Sequence, residues 1–230
     1  TFDPAYSAET AAEELTKIVE RALGPDHGVQ LEPVLDKPEP ALQQAGETAD
    51  MIVLGARGVG GFRGLLLGSV SRWVLHHATC PVTVVRGERA GFDGPIVVGV
   101  NGSDHARRAL RWAGEFAKRT GRKLVAVWAW QVPVAGGALY PVPVDVEGCA
   151  REAAEALHRE IAAAGLDDVD VTELALPGQA AAQLLGAVDD QRGALVVVGA
   201  RGAKGLAGAL LGSVSDQVVH HAHVPVVVVP

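Results

Sequence analysis

Residues 55–71, with the sequence GARGVGGFRGLLLGSVS, form a glycine-rich stretch that the chain contains twice. The second copy is GARGAKGLAGALLGSVS at 199–215, and a short apolar run precedes each copy. In both copies two glycines three residues apart precede a Gly-Ser pair at the same distance. Glycine lets main-chain N–H groups approach a phosphate closely, and a helix N-terminus offers unpaired N–H groups to an anion. The stretch therefore predicts a nucleotide-binding loop.

The repetition extends well beyond this loop. Residues 55–86 and 199–230 agree at about 20 of 32 positions without a gap, and the helical pattern at 11–24 returns at 153–165. The second repeat opens with a strand, a helix and a strand over 95–130, for which the first repeat has no counterpart. By analogy with the second repeat, we expect roughly 40–50 further N-terminal residues in the natural protein. The polar segment 86–94 separates two predicted domains, 1–88 (N-terminally incomplete) and 94–230.

Composition excludes several classes of protein. The chain has 230 residues, of which 48% are hydrophobic, so two globular domains with real cores are possible. A net charge of −7 argues against a nucleic-acid partner. No apolar run approaches the ~18 residues that span a membrane, and no signal peptide is visible. The two cysteines, Cys80 and Cys149, lie far apart, which suits a reducing compartment and predicts a cytoplasmic protein.

Strand and helix patterns alternate along the chain, which predicts a doubly wound parallel sheet with ligands at the carboxyl ends of its strands. Apolar runs predict buried strands at 51–56, 81–85, 95–100, 123–130, 194–200 and 225–229. Alternating patterns predict half-buried strands at 28–35 and 169–176. Helices are predicted at 8–23, 38–49, 69–78 (with Ser69 as N-cap), 149–165, 180–191 and 213–222, a turn followed by a helix at 101–121, and a long loop at 131–148.

The full spacing Gly-x2-Gly-x9-Gly-Ser-Val-Ser, followed by a helix and Ala-x-x-Pro-Val-x-Val-Val, resembles the universal stress protein family. The segment IVVGVNGSDHARRAL at 96–110 resembles that family's first strand and turn. The resemblance covers essentially the whole chain, which would contain one complete and one truncated copy of the family's domain. It implies an α/β fold with two flavodoxin-like domains (Rossmann-like, adenine-nucleotide alpha hydrolase-like) built on parallel five-stranded sheets. The first domain would lack its N-terminal strand–helix–strand. The resemblance also implies bound ATP or AMP.

The resemblance implies a complete nucleotide site in the second repeat. Gly199 and Gly202 would line the phosphates and ribose, while main-chain amides and hydroxyls of Gly212, Ser213, Val214 and Ser215 would hold the phosphates. Val100 and Asn101 match positions beside adenine and ribose, and Ala129 matches a position whose main chain meets the adenine edge. Asn101 stands where an Asp is usual, and an amide brings no charge to hold a metal or to raise a base's activity.

The first repeat keeps only the phosphate side of this site. Its matching residues are Gly55, Gly58, Gly68, Ser69, Val70 and Ser71. The adenine side would lie on strands that have no counterpart there, so we expect poor binding unless another segment completes the pocket. The expected cofactor is ATP, with or without Mg²⁺. No catalytic residues and no protein metal site are predicted.

Other interpretations remain open. The glycines could form a tight turn with positive φ, and Arg57 and Arg201 could contact a phosphate or cap a strand end. The adjacent pairs His76-His77 and His220-His221 favour a structural role over metal binding. The preferred function is a nucleotide-dependent stress-response regulator with little or no hydrolysis. The alternatives are a nucleotide-free dimerising scaffold and an adenine-nucleotide-using enzyme of the same superfamily.

Several partners follow from these interpretations. Besides an adenine nucleotide, we expect the two repeats to pair within the chain through their last strands. The terminal PVVVVP, as an apolar edge strand, would favour a homodimer. A regulator also requires a protein partner, which the sequence does not identify.

Overall fold

A computed structural model describes residues 8–57, 67–86, 93–132, 145–202 and 211–230. Strands and helices alternate, as predicted for an α/β fold. The strands are β1 (Ile52–Gly55), β2 (Val82–Val85), β3 (Ile96–Gly99), β4 (Leu124–Trp130), β5 (Val171–Pro177), β6 (Leu195–Gly199) and β7 (Val226–Val229). The helices are α1 (Ala8–Leu23), α2 (Pro38–Gly46), α3 (Ser69–His77), α4 (Asp104–Thr120), α5 (Val146–Ala163), α6 (Ala180–Asp190) and α7 (Ser213–His221).

The described strands form one seven-stranded sheet in the order β1-β2-β7-β6-β3-β4-β5. The five strands of the second repeat are mutually parallel, as predicted. The first repeat contributes only β1 and β2, which are parallel to each other. β2 joins β7 in antiparallel register, with Thr83 opposite Val227. The predicted pairing of the two repeats through their last strands is confirmed, and it joins their described strands in one sheet rather than two.

Two apolar layers cover the two faces of the second repeat's strands, and one of these layers continues over one face of β1 and β2. Alternate residues of each strand point to opposite faces, so Val196 and Val198 pack in the layer beneath α6 and α7. Val197, between them, packs beneath α4 with Leu110. Burial on both faces explains why β3, β6 and β7 read as uninterrupted apolar runs.

Residues 28–35 do not form the predicted strand. The corresponding β5 of the second repeat pairs with β4 along its whole length. No described strand of the first repeat stands where β4 stands in the second, so this segment has no neighbour to supply main-chain hydrogen bonds. Val29, Val34 and Leu35 are consequently exposed.

Several element boundaries differ from prediction. α5 begins at Val146 rather than 149, because a side-chain oxygen of Asp145 accepts the Gly148 N–H at 2.8 Å and caps the helix. α3 has Gly68 as its N-cap, and Ser69 is its first helical residue. α2 ends at Gly46. Most of the predicted loop at 131–148 lies outside the described residues.

β7 is not an edge strand. It lies between β2 and β6, and all four of its valines are buried. The terminal apolar run therefore pairs inside the chain instead of offering an edge to a second copy. Within the described residues, no helix combines the length and apolar character needed to cross a membrane.

Candidate functional site

A cleft opens at the carboxyl ends of β3, β4 and β6. The strand order reverses here, because the chain runs from β3 outward to β4 and β5 and later returns to place β6 on the other side of β3. Connections that leave in opposite directions create a crevice above the strand ends, where ligands of open α/β sheets bind.

The cleft brings together all nine residues that the sequence predicts for the second repeat. They come from four separate segments of the chain: Val100 and Asn101 after β3, Ala129 on β4, Gly199 and Gly202 at and after β6, and Gly212, Ser213, Val214 and Ser215 at the start of α7. The other described lining residues are Gly99, Ala106, Val127, Ala180, Leu184, Val198 and Arg201.

The N-terminus of α7 supplies hydrogen-bond donors to the cleft. The N–H of Asp216 bonds to the carbonyl of Gly212 at 2.9 Å and closes the first helical turn. The N–H groups of Ser213, Val214 and Ser215 precede that bond and have no main-chain partner among the described residues. Gly212 is the N-cap and has no side chain to satisfy them. Three free donors at the positive end of a helix dipole favour an anion.

The Ser215 hydroxyl does not face a ligand as predicted. Its Oγ donates to the carbonyl oxygen of Gly199 at 2.6 Å, and the side chain is buried. The same bond joins Ser71 to Gly55 at 2.8 Å in the first repeat. Both hydroxyls therefore tie a helix to the end of a strand, and only the main-chain N–H of Ser215 remains for an anion. Ser213 is exposed.

The two glycines of the loop have different physical reasons to be glycine. A Cβ atom on Gly199 would stand 2.6 Å from the carbonyl carbon of His105, so this glycine permits close packing of α4 against β6. Among the described residues a Cβ on Gly202 would meet only Asn101 Nδ2, at 3.2 Å, and Gly202 lines the cleft. Neither residue has a positive φ, so the interpretation as a left-handed turn is wrong for this pair.

Asn101 shapes the opposite wall of the cleft. Its Oδ1 accepts hydrogen bonds from the Ser103 N–H at 3.1 Å and from the Ser103 hydroxyl at 2.7 Å. Ser103 Oγ in turn accepts the Ala106 N–H at 3.3 Å and caps α4. The acceptor of the Asn101 amide is thus used by the protein, while no bond of its Nδ2 donor to a described residue is seen.

An apolar wall completes the cleft, and sequence reasoning missed part of it. Val127 and Ala129 lie on one face of β4, and Ala180 and Leu184 reach over from α6. A Cβ on Gly99 would stand 3.0 Å from Leu184 Cδ1, so the small residue makes room for this leucine. The apolar stripe of α6 was visible in the sequence, but its packing over the end of β3 was not.

Arg201 is the single charged residue among the described lining residues. The sequence left open whether it contacts a phosphate or caps a strand. Nearby, burial lowers the pKa of His105, and the cations Arg108 and Arg201 lower it further. Arg201 therefore brings a positive charge to the lining of the cleft, and it disfavours a positive charge on the neighbouring His105.

The first repeat contains only the phosphate side of the predicted nucleotide site. The Gly68 N–H bonds to the Ala56 carbonyl at 2.8 Å, as that of Gly212 bonds to Ala200 at 2.7 Å. Ser69, Val70 and Ser71 form the first turn of α3. Gly58 lies outside the described residues. No described strand faces this turn in the way that β3 and β4 face α7.

One histidine of each pair contacts the main chain of its own helix. Nδ1 of His77 lies 2.7 Å from the Trp73 carbonyl, and Nδ1 of His220 lies 2.7 Å from the Asp216 carbonyl. Over the part of the chain that the structure describes, no three His, Cys, Asp or Glu side chains are grouped as a metal site would require.

Comparison with known proteins gives consistent matches. The sequence model of the universal stress protein family matches residues 2–86 and 94–230. A universal stress protein of Mycolicibacterium smegmatis is 36% identical over 231 residues, covering 97% of this chain and 76% of the relative. One from Mycobacterium tuberculosis is 35% identical over 227 residues, covering 92% and 73%. A crystal structure of a universal stress protein from Archaeoglobus fulgidus superposes with a TM-score of 0.67 at 23% identity, covering 99% of this chain and 80% of that one, which supports the fold.

Proposed function

The chain belongs to the universal stress protein family, and from that premise we propose that its second repeat binds ATP and acts as a nucleotide-dependent stress-response regulator. One observation carries the proposal: three helix N–H groups without a main-chain partner among the described residues and an apolar wall line one cleft at the switch point of the sheet. A nucleotide has one part for each of these two sides, because its phosphates are anionic and its base has apolar faces.

Each part of the cleft suits one part of the nucleotide. The N–H groups of Ser213, Val214 and Ser215 would hold phosphate oxygens, and Arg201 would add a charge-assisted contact. Gly202 would leave room for the phosphates and ribose. Asn101 Nδ2 would donate to the ribose or the base.

The apolar wall of Val127, Ala129 and Leu184 would pack against the adenine. The main chain of Ala129 lies at the end of β4, where it could meet the adenine edge. No carboxylate lines the described part of the cleft. A Mg²⁺ ion would therefore be held by phosphate oxygens and water rather than by these side chains.

Little or no hydrolysis is expected. Among the described lining residues there is no Asp, Glu, His, Lys or Cys that could act as a general base or nucleophile. The signal would then be whether the protein is ATP-bound or free, and a regulatory protein partner would distinguish these two states by binding. A homodimer remains a prediction, and because β7 is internal, a second copy would need another surface.

Isothermal titration calorimetry with ATP, ADP, AMP and cyclic AMP tests the proposal. We expect one ATP per chain, because the first repeat has only the phosphate side of a site. Gly202→Val should abolish binding, since its side chain would occupy the cleft. Gly186→Val is the matched control, because a Cβ on Gly186 meets nothing within 4 Å and lies on α6 outside the cleft lining. Equal ATP affinity in the parent and the Gly202 variant would refute the site.

A further inference from the structure

We propose that the second-repeat cleft selects its nucleotide in the form that carries no divalent cation, and that Asn101 is the residue that sets this preference. The proposal rests on the proposed function of the same cleft and deepens it, because it states which form of the nucleotide is selected. A nucleotide with Mg²⁺ presents a hydrated cation beside its phosphates. The metal-free form presents only phosphate oxygens, which are hydrogen-bond acceptors.

Most polar groups that line the cleft are hydrogen-bond donors. The N–H groups of Ser213, Val214 and Ser215 have no main-chain partner among the described residues, and they lie at the positive end of α7. Arg201 adds a guanidinium, which has several N–H donors and no acceptor. Donors and positive charge match phosphate oxygens. They do not match a hydrated cation, because its bound waters point their hydrogens outward.

Main-chain oxygens near the N-terminus of α7 already accept hydrogen bonds from the protein. The carbonyl oxygen of Gly199 accepts the Ser215 hydroxyl at 2.6 Å. That of Ala200 accepts the Gly212 N–H at 2.7 Å, and that of Gly212 accepts the Asp216 N–H at 2.9 Å. Mg²⁺ requires oxygen ligands at about 2.0–2.1 Å in a nearly ideal octahedron. Oxygens directed at donors of the protein do not offer this arrangement.

The side-chain oxygen of Asn101 is used in the same way. Its Oδ1 accepts the N–H of Ser103 at 3.1 Å and the hydroxyl of Ser103 at 2.7 Å. A main-chain N–H can only donate, so the atom that faces it must be the amide oxygen. Nδ2 is therefore the atom that would lie 3.2 Å from a Cβ on Gly202. On this wall the cleft presents a further donor where a metal would require an oxygen.

The carboxylates closest in sequence to the lining residues have other partners. Asp104 begins α4, and its Oδ1 lies 3.4 Å from Nη1 of Arg107. Asp216 lies in the first turn of α7, and its Oδ1 lies 3.5 Å from Nδ1 of His220. Each pair runs along its own helix toward the next turn. Both carboxylates are exposed, and neither belongs to the described lining of the cleft.

The segment between Gly202 and Leu211 lies outside the described residues, but its chemistry is fixed by the sequence. Residues 203–210 read AKGLAGAL, and none of these side chains contains an oxygen atom. Their one ionisable group is the amine of Lys204, a cation that favours phosphate and disfavours a metal ion. This segment therefore supplies no side-chain ligand for Mg²⁺ either.

Electrostatics gives the direction of the preference. The N-terminus of α7 and Arg201 attract negative charge, and Mg²⁺ bound to the phosphates of ATP cancels part of that charge. The metal also occupies phosphate oxygens that would otherwise accept the N–H groups. Free ATP should therefore bind more tightly than its magnesium complex. AMP has a single phosphate and holds Mg²⁺ weakly, so its affinity should hardly depend on the metal.

Calorimetric titration of the full chain with ATP and with AMP tests the proposal, in EDTA and in excess MgCl₂ at equal ionic strength. We expect the Kd for ATP to be lower in EDTA by about fivefold, and the Kd for AMP to be equal in both buffers. The parent comparison needs no variant, so it stands even where a substitution impairs folding.

Asn101→Asp should reverse the metal dependence. One carboxylate oxygen would keep the bonds to Ser103, and the other would replace Nδ2 and offer an oxygen to a metal. In EDTA this variant should bind ATP about tenfold more weakly than the parent, because the carboxylate repels the phosphates, and Mg²⁺ should restore much of the loss. Asp216→Asn is the matched control. It exchanges a carboxylate for an amide outside the described lining, so the ratio of the two Kd values should not change.

Two results would overturn the proposal and leave nucleotide binding in place. One is an affinity of the parent for ATP that is equal in the two buffers or higher with Mg²⁺. The other is an Asn101→Asp variant with the parent's circular dichroism and the parent's metal dependence. A chain that binds neither ATP nor AMP in either buffer would instead refute the nucleotide site itself, and this proposal with it.

Discussion

The main chain of Gly199 lies directly against that of His105, so that a Cβ on Gly199 would stand 2.6 Å from the His105 carbonyl carbon and 2.8 Å from the Ala106 nitrogen. At Gly55, the twin position of the first repeat, the nearest atom to such a Cβ is the Arg57 carbonyl oxygen at 3.3 Å. The sequences around both glycines are nearly identical. Their surroundings differ because α4 packs against β6, and no described helix packs against β1 in the same way.

Gly199→Ala should therefore destabilise the protein far more than Gly55→Ala. We expect a loss of about 2 kcal/mol in the free energy of unfolding for the first and below about 1 kcal/mol for the second, because overpacking against main chain must move α4. Urea denaturation measures both values. Equal losses would contradict the close packing of α4 on β6.

Ser213→Ala and Ser215→Ala should separate binding from stability. The Ser215 hydroxyl bonds to the Gly199 carbonyl, so its removal should cost about 1 kcal/mol of stability with little change in ATP affinity. The Ser213 hydroxyl is exposed in the first turn of α7, so its removal should weaken ATP binding and leave the melting temperature unchanged. Calorimetric titration and thermal melting of both variants check the two effects, and the reverse pattern would exclude these roles.

Arg201→Gln should weaken ATP binding by about three- to tenfold and AMP binding less, because the guanidinium is expected to contact the outer phosphates. The effect should shrink as salt concentration rises, since the side chain is exposed. Arg57→Gln, at the twin position, is the control and should leave ATP affinity unchanged. An equal loss for ATP and AMP would place Arg201 away from the outer phosphates.

Glu160→Gln should reduce the acid sensitivity of folding. Nε and Nη2 of Arg107 lie 2.8 and 2.9 Å from the two carboxylate oxygens of Glu160, and this pair joins α4 to α5. The guanidinium holds the pKa of Glu160 below its ordinary value. A carboxyl whose pKa is lower in the folded state contributes stability above its unfolded pKa of about 4.3, and this stability is lost as pH falls through the folded value.

The variant should thus be less stable than the parent at pH 7 and approach it at about pH 3, where the carboxyl is largely protonated. Urea denaturation at both values measures the difference. Glu155→Gln is the control, since Glu155 lies 3.9 Å from Arg159 in an exposed, i,i+4 pair that salt screens. A difference between Glu160→Gln and the parent that is equal at both pH values would show that the ion pair is not its cause.

The sequence could predict the second-repeat cleft because the relevant signals are local. Two glycines, a Gly-Ser helix start and short apolar runs identify strand ends and a helix N-terminus, and parallel strands bring their carboxyl ends to one edge. Ala180 and Leu184 could not be predicted as lining residues, because their position depends on how α6 crosses the sheet. The hydroxyl of Ser215 was misread for a similar reason, since its partner, the Gly199 carbonyl, is set by packing.

By itself, the sequence determined the alternation of strands and helices, the duplication and the residues that meet at the strand ends. These follow from periodicity and from main-chain preferences, which act over a few residues. The tertiary structure alone decided that 28–35 is not a strand and that Val53 is exposed where Val197 is buried. The physical reason is that strand pairing and burial depend on which element lies alongside. Identical residues therefore differ in pairing and in exposure when their neighbours differ.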